Sequence, residues 1–127
     1  NEQNIIFQSK LGSLNVKIDR TNLIRVITNL VKNAIQATEN IKDSKIIVSV
    51  KKLRNKAIIE IEDNGDGISR KNRDKIFEPK FTTKSKGMGL GLSIIKNLVT
   101  NYNGKIDFVS KKGKTIFKIE LPIHKNV

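Results

Sequence analysis

Four groups of residues have types and spacings that suit chemistry better than packing. Asn29 and Asn33 stand four residues apart, so on a helix they project from one face. Helix interiors seldom favour asparagine. Paired neutral carboxamides offer oxygen ligands to Mg²⁺ without adding charge, which fits a cation already neutralised by phosphates. A solvated polar face in an asparagine-rich chain is the plainer alternative. Gly87-Met88-Gly89-Leu90-Gly91 runs straight into a helical pattern that continues through Leu92. Glycines let a backbone approach a phosphate, and a helix N-terminus offers unpaired N–H groups and the positive end of its dipole. Alone this is a weak signal, because the loop lacks the Lys-Ser/Thr ending of a Walker loop and no strand immediately precedes it. Beside it, residues 70–86 set Arg70, Lys71, Arg73, Lys75, Lys80, Lys84 and Lys86 against only Asp74 and Glu78.

The other two groups sit on strands. Ala57, Ile59 and Ile61 alternate, and the next residue on that face is Asp63, because strand side chains alternate. A carboxylate therefore continues a buried face where the chain enters Gly65 and Gly67, and a buried carboxylate needs a donor. Asp-Asn-Gly-Asp-Gly is also good turn chemistry, so a turn-forming aspartate stays open. Thr115, Phe117, Ile119 and Leu121 share a face of the last strand, with a hydroxyl at its entry end. Simple β-propensity explains Thr115 equally well. A carboxylate and a hydroxyl at the rim of one apolar sheet would suit a purine, with its ring buried and its amine bonded to Asp63.

These groups must be positioned by elements that the hydrophobic pattern outlines. Leu14, Val16 and Ile18 alternate and predict a strand. Asp19 can cap the helix that follows, in which Leu23, Ile27, Leu30, Ala34 and Ile35 recur until about Asn40. Two alternating runs, Ile46 to Val50 and Ala57 to Ile61, flank a polar break at 53–56 and predict a β-hairpin. A short helical turn is expected at 70–76. A second long helix runs from about Leu90, with Leu92, Ile95, Leu98, Val99 and Tyr102 on one face, and ends at Asn103-Gly104. Strands over 105–110 and 115–121 close the chain. This order predicts an α+β two-layer sandwich, a mixed but mostly antiparallel sheet with helices on one face.

Composition sets the outer limits. At 127 residues, 37% hydrophobic and 29% charged, the chain suits one soluble domain, residues 1–127. It has no cysteine, which removes disulfides and thiolate metal sites. No apolar run approaches the ~20 residues of a membrane span, so direct membrane insertion is not expected and a cytoplasmic location is, compatible with a membrane-anchored parent. The formal charge of +13 raises nucleic acid as a partner. The lysines are spread over nearly every segment, however, and the few aromatics form no stacking ladder among them. No nucleic-acid partner is expected.

Taken in order, Asn29-Leu-Val-Lys-Asn33-Ala, Asp63-Asn-Gly-Asp-Gly67, Phe77-Glu-Pro-Lys-Phe81-Thr-Thr-Lys84 and Gly87-Met-Gly-Leu-Gly91-Leu closely resemble the N, G1, F and G2 boxes of the sensor histidine kinase catalytic domain. Gly113-Lys-Thr115-Ile-Phe117 resembles its terminal strand motif. The resemblance spans nearly all of the chain and implies the Bergerat ATP-binding fold shared with gyrase, mismatch-repair ATPases and heat-shock chaperones. It implies that Asp63 accepts the adenine amine, that Asn33 binds Mg²⁺, that Asn29 helps arrange metal and phosphates, and that Thr115 supports the adenine. Gly65, Gly67 and Ile68 would shape the purine end. Phe77, Phe81, Thr82, Thr83 and Lys84 would belong to the nucleotide site and its short lid, and Gly87, Met88, Gly89, Leu90, Gly91 and Leu92 to the phosphate end. Departures from the pattern are Tyr102-Asn103-Gly104 in place of His-Gly-Gly, Lys80 in place of an apolar residue and Met88 in place of a small hydroxyl residue. None removes a ligand.

The implied partners are ATP, a histidine-bearing dimerisation domain of a homodimeric parent and, indirectly, a response regulator. The only histidine is His124, beyond the last strand, so the expectation is a catalytic domain without its phosphoacceptor. Two relatives compete with this reading: an anti-sigma-factor serine kinase and an ATP-hydrolysing switch. Both typically carry glutamate four residues before the metal-binding asparagine, as a base for water or a hydroxyl. Asn29 cannot act as a base, whereas a neutral imidazole needs none.

Overall fold

Residues alternating in polarity build most of the sheet, and apolar stripes at helical spacing cover one side of it. The structure, a computed structural model, describes residues 4–9, 18–78 and 91–123. The elements are β1 (Asn4–Ser9), α1 (Arg20–Ala37), β2 (Lys45–Leu53), β3 (Lys56–Asp63), α2 (Arg70–Arg73), α3 (Leu92–Asn101), β4 (Lys105–Lys111) and β5 (Lys114–Pro122). They form a five-stranded sheet in the order β1-β2-β3-β5-β4. β1 runs parallel to β2, and every other pairing is antiparallel. This is the mixed, mostly antiparallel α+β sheet that the sequence predicts.

Register fixes which face is buried. Ile46 pairs with Asp63, Val48 with Ile61, Ile61 with Phe117 and Ile59 with Ile119, so these side chains share one face. Val26, Leu30 and Ala34 of α1 and Ile95 and Val99 of α3 join them in a single core. Truncating a residue such as Leu30 to alanine would cost about 2–5 kcal/mol. Among the described residues the opposite face is open apart from buried Ile58 and is laced with ion pairs, Lys51–Glu60 and Lys56–Glu120 at 3.7 Å and Lys118–Glu120 at 3.6 Å.

Several boundaries differ from expectation for local reasons. Asp19 occupies the N-cap of α1 but its side chain makes no capping bond; its carbonyl accepts the Leu23 amide at 2.9 Å. The helix therefore depends on its packed stripe rather than on its cap. It ends at Ala37, not near Asn40, because buried Thr38 turns its hydroxyl back to the Ala34 carbonyl at 2.9 Å. Helix α3 begins at Leu92, with Gly91 as its N-cap. Its other end falls at Asn103-Gly104 as expected, with Asn103 in the left-handed region (φ 63°). The strand expected over Leu14–Ile18 lies outside the described residues except for Ile18, which forms a bend. Strand β1 escapes the alternation test, because Ile5, Ile6 and Phe7 are contiguous apolar residues.

Candidate nucleotide-binding site

The open ends of β3 and β5 bring Asp63 and Thr115 together. They are register partners, only 5% and 4% exposed, and they cap the apolar faces of their strands. Asp63 Oδ1 accepts the Gly65 amide at 2.9 Å. Burial pushes the Asp63 carboxyl above its ordinary value of 3.8; the Gly65 bond opposes this and the neighbouring charge of Glu62 adds to it. A carboxylate placed so deeply with no ion pair among the described residues is costly. An amine donor arriving with a ligand would offset that cost.

The loop after Asp63 is held from three directions. Asn64 Oδ1 accepts the Lys45 amide at 2.7 Å and its Nδ2 donates to the Asp43 carbonyl at 3.0 Å. The Gly113 amide donates to the Gly65 carbonyl at 3.0 Å. The Ile68 amide donates to Ser110 Oγ at 2.8 Å, and Ser110 Oγ lies 2.8 Å from Thr115 Oγ1. Two glycines are obligatory here. A Cβ on Gly65 would lie 2.6 Å from the Ala37 carbonyl oxygen at the end of α1, and Gly67 has φ 87° with the Lys111 carbonyl oxygen 2.6 Å from any Cβ.

Helix α1 carries the second group of candidate residues. At 100° per residue Asn29, Asn33 and Gln36 fall within roughly 60° of arc. Asn29 Nδ2 donates to the Arg25 carbonyl at 2.8 Å. Gln36 Oε1 is buried and has no hydrogen-bond partner among the described residues. An orphaned amide oxygen costs about 1–3 kcal/mol, and a bound ion, water or ligand group at this face would remove that cost. Asn22 Nδ2 donates to the Tyr102 hydroxyl at 2.9 Å, joining α1 to α3.

Phe77 follows α2 and leads an aromatic file into the core. Its ring meets Phe108 edge-on at 5.9 Å, and Phe108 stacks on Phe117 at 5.7 Å. Lys96 of α3 places Nζ 5.1 Å from the Phe77 ring centroid.

Residues 18–125 match the family described as "Histidine kinase-, DNA gyrase B-, and HSP90-like ATPase". The chain belongs to that ATPase family. It is 37% identical over 117 residues to the sensory histidine kinase/phosphatase NtrB of Escherichia coli O157:H7, and 39% identical over 109 residues to sporulation kinase D of Bacillus subtilis. These alignments cover 84% and 85% of the chain but only 33% and 21% of the relatives, so the chain spans a third or less of their length. Among solved structures, a nucleotide-free catalytic domain of histidine kinase ThkA superimposes with TM-score 0.83 at 34% identity, covering 94% of this chain and 78% of that one. A structure of ThkA in complex with the response regulator protein TrrA gives TM-score 0.79 at 31% identity, with coverages of 94% and 34%. Within the ATPase family the chain therefore groups with the histidine kinase catalytic domains.

Against that family's site, Asp63, Gly65, Gly67, Ile68 and Thr115 converge at one end of the β3–β5 pair. Asn29 and Asn33 share a half-buried face of α1. Gly91 and Leu92 open α3, and Ile68, Phe77 and Leu92 pack on the core. Phe81, Thr82, Thr83, Lys84, Gly87, Met88, Gly89 and Leu90 lie outside the described residues. Sequence reasoning missed Arg73, Ser110 and Gln36. Arg73 counts as one more charge of a basic run, but its guanidinium bonds two carbonyls: Nε donates to Ile68 at 3.0 Å and Nη2 to Ser110 at 2.6 Å. Ser110 was legible, because Ile106, Phe108 and Ser110 alternate onto the face that carries Thr115. Gln36 extends the Asn29/Asn33 spacing by three residues.

Proposed function

We propose that this chain is the ATP-binding catalytic domain of a sensor histidine kinase. It binds Mg-ATP and delivers the γ-phosphate to a histidine on a separate dimerisation domain. The observation that carries the proposal is a buried carboxylate, Asp63, with no ion pair among the described residues, opposite the Thr115 hydroxyl in a domain of this ATPase family. Asp63 accepts the adenine exocyclic amine, Thr115 supports the ring, and Gly65, Gly67 and Ile68 shape the surface on which the ring lies. Asn33 holds Mg²⁺ through Oδ1, and Asn29 orders the phosphates beside it. Bound there, Mg²⁺ neutralises phosphate charge. Among the described residues no cluster of three His, Cys, Asp or Glu side chains offers another metal site. The neutral carboxamides and the orphaned Gln36 oxygen fit a cation that already carries phosphate oxygens. Phe81, Thr82, Thr83, Lys84, Gly87, Met88, Gly89 and Leu90 form the lid and phosphate cradle in this proposal, with Gly91 and Leu92 continuing into α3.

Transfer requires the imidazole nitrogen to form an N–P bond while the bond from the γ-phosphorus to its bridging oxygen breaks, with the electron pair leaving on ADP. Neutral imidazole brings its own lone pair, so the absence of a carboxylate at Asn29 does not impede it. The same absence leaves water unactivated, and hydrolysis should be feeble. Catalysis is then positioning and charge stabilisation. The proposed parent is a homodimer, with a cytoplasmic catalytic domain and a response regulator downstream. Among the described residues no helix is long and apolar enough to cross a membrane.

The test incubates the chain with γ-labelled ATP, alone and with the dimerisation fragment of its parent. The chain alone should neither label itself nor release phosphate quickly. Adding the fragment should give acid-labile label on its histidine, slowly because tethering is lost. Acid-stable label on a serine of an added partner would support a serine kinase instead, and rapid phosphate release an ATP-hydrolysing switch.

A further inference from the structure

Three residues close a ring of hydrogen bonds behind the purine end of the site. The Ile68 amide donates to Ser110 Oγ, Arg73 Nη2 donates to the Ser110 carbonyl, and Arg73 Nε donates back to the Ile68 carbonyl. Both backbone polar groups of Ile68 are thus held by side chains from elsewhere in the chain. Ser110 Oγ is also 2.8 Å from Thr115 Oγ1, and Thr115 faces Asp63 across the β3–β5 pair. The ring therefore ties the glycine loop to the hydroxyl beside the purine-reading carboxylate. Helix α2, which carries Arg73, is only four residues long, and so short a helix has little stability of its own. Its position depends on bonds such as these.

From this ring we infer that Arg73 and Ser110 are positioning residues for the purine pocket. They act through Ile68 and Thr115, setting the loop against β4 and fixing the Thr115 hydroxyl, so that ATP is preferred over GTP. The inference rests on the reading of Asp63 as the adenine acceptor. An arginine is suited to the task because its planar fork reaches two carbonyls at once; lysine, with one ammonium, would not hold both in the same geometry. A serine is suited because one hydroxyl oxygen can accept the Ile68 amide and still bond Thr115.

The experiment titrates ATP and GTP into the chain and its Arg73→Met, Arg73→Lys, Ser110→Ala and Ser110→Thr variants, and follows hydrogen exchange at the Ile68 amide. Arg73→Met and Ser110→Ala should each weaken ATP binding about tenfold, the scale of one to two lost hydrogen bonds. GTP binding should change about twofold or less, so selectivity falls. Ile68 exchange should speed up about tenfold in both variants while exchange in the core strands stays unchanged. Ser110→Thr should remain within about twofold of the parent, and Arg73→Lys should fall between parent and Arg73→Met. In a trans-phosphorylation assay the KM for ATP should rise while kcat holds. Folded Arg73→Met and Ser110→Ala variants with unchanged ATP selectivity would overturn the inference alone. If Arg73→Met fails to fold, the Ser110→Ala and Ser110→Thr pair decides by the same readouts. Equal ATP and GTP affinity in the parent chain, or in the parent and Asp63→Asn alike, would remove the adenine reading and this inference with it.

Discussion

The two faces of strand β3 treat their carboxylates in opposite ways. Glu60 lies on the open face, partly exposed, with Lys51 Nζ 3.7 Å away. Asp63 lies on the helix-covered face, with a backbone amide as its described partner. An arrangement chosen for stability resembles the first: solvated charges with opposite charges nearby, each pair contributing about 0–1 kcal/mol. The second raises the carboxyl's pKa by desolvation and therefore works against the charged folded state. On the proposed reading, the difference separates a carboxylate that decorates a fold from one held ready for a ligand.

Substituting Asp63 by asparagine should produce the largest effect. The variant keeps an Oδ1 acceptor for the Gly65 amide but loses the charge that, in the proposed function, faces the adenine amine. ATP affinity should fall by about 1.5–3 kcal/mol, the scale of a hydrogen bond to a charged group, as measured by calorimetry. Unchanged affinity would make the two faces of β3 equivalent. Next comes Asn33→Ala, which should abolish the gain in nucleotide affinity given by Mg²⁺, about tenfold or more. Fluorescent-nucleotide titrations with and without Mg²⁺ would show it, and an intact Mg²⁺ effect would refute the role.

The pH dependence of unfolding sharpens the contrast without any ligand. Because the folded pKa of Asp63 is raised above 3.8, its favourable contribution is fully present below that value and is lost as pH rises through the folded pKa. The chain without nucleotide should therefore lose stability over that window relative to Asp63→Asn, and the gap should stay constant at higher pH. Denaturant melts of both proteins across the acid range would reveal the divergence; parallel curves would mean that Asp63 carries no burial penalty. The smallest effect belongs to the open face. Glu60→Gln should shift stability by about 0.5 kcal/mol or less, be partly masked by salt, and leave ATP binding unchanged.

The features legible in the sequence were those that follow from a period. Alternation along β3 placed Asp63 at the end of a buried face, and alternation along β5 did the same for Thr115. The four-residue spacing put Asn29 and Asn33 together. What escaped depended on contacts between distant segments. Arg73 reads as one lysine-like charge among many until its fork is seen bridging Ile68 and Ser110. Gln36 is unremarkable as a helical residue until burial leaves its oxygen without a hydrogen-bond partner among the described residues. Strand β1 was missed because it joins β2 in parallel, and no hairpin turn or alternating pattern announces such a strand. Asp19 reads as a helix cap, but capping depends on a rotamer that sequence does not encode.

Selection of adenine by Asp63 is testable in a single titration of the unmodified protein. Mg-ATP and Mg-GTP are titrated separately into the unmodified chain in a calorimeter. The account predicts that ATP binds at least about tenfold more tightly than GTP, because GTP presents a carbonyl where ATP presents the amine and would set an acceptor against a buried carboxylate. Equal affinities for the two nucleotides would contradict it.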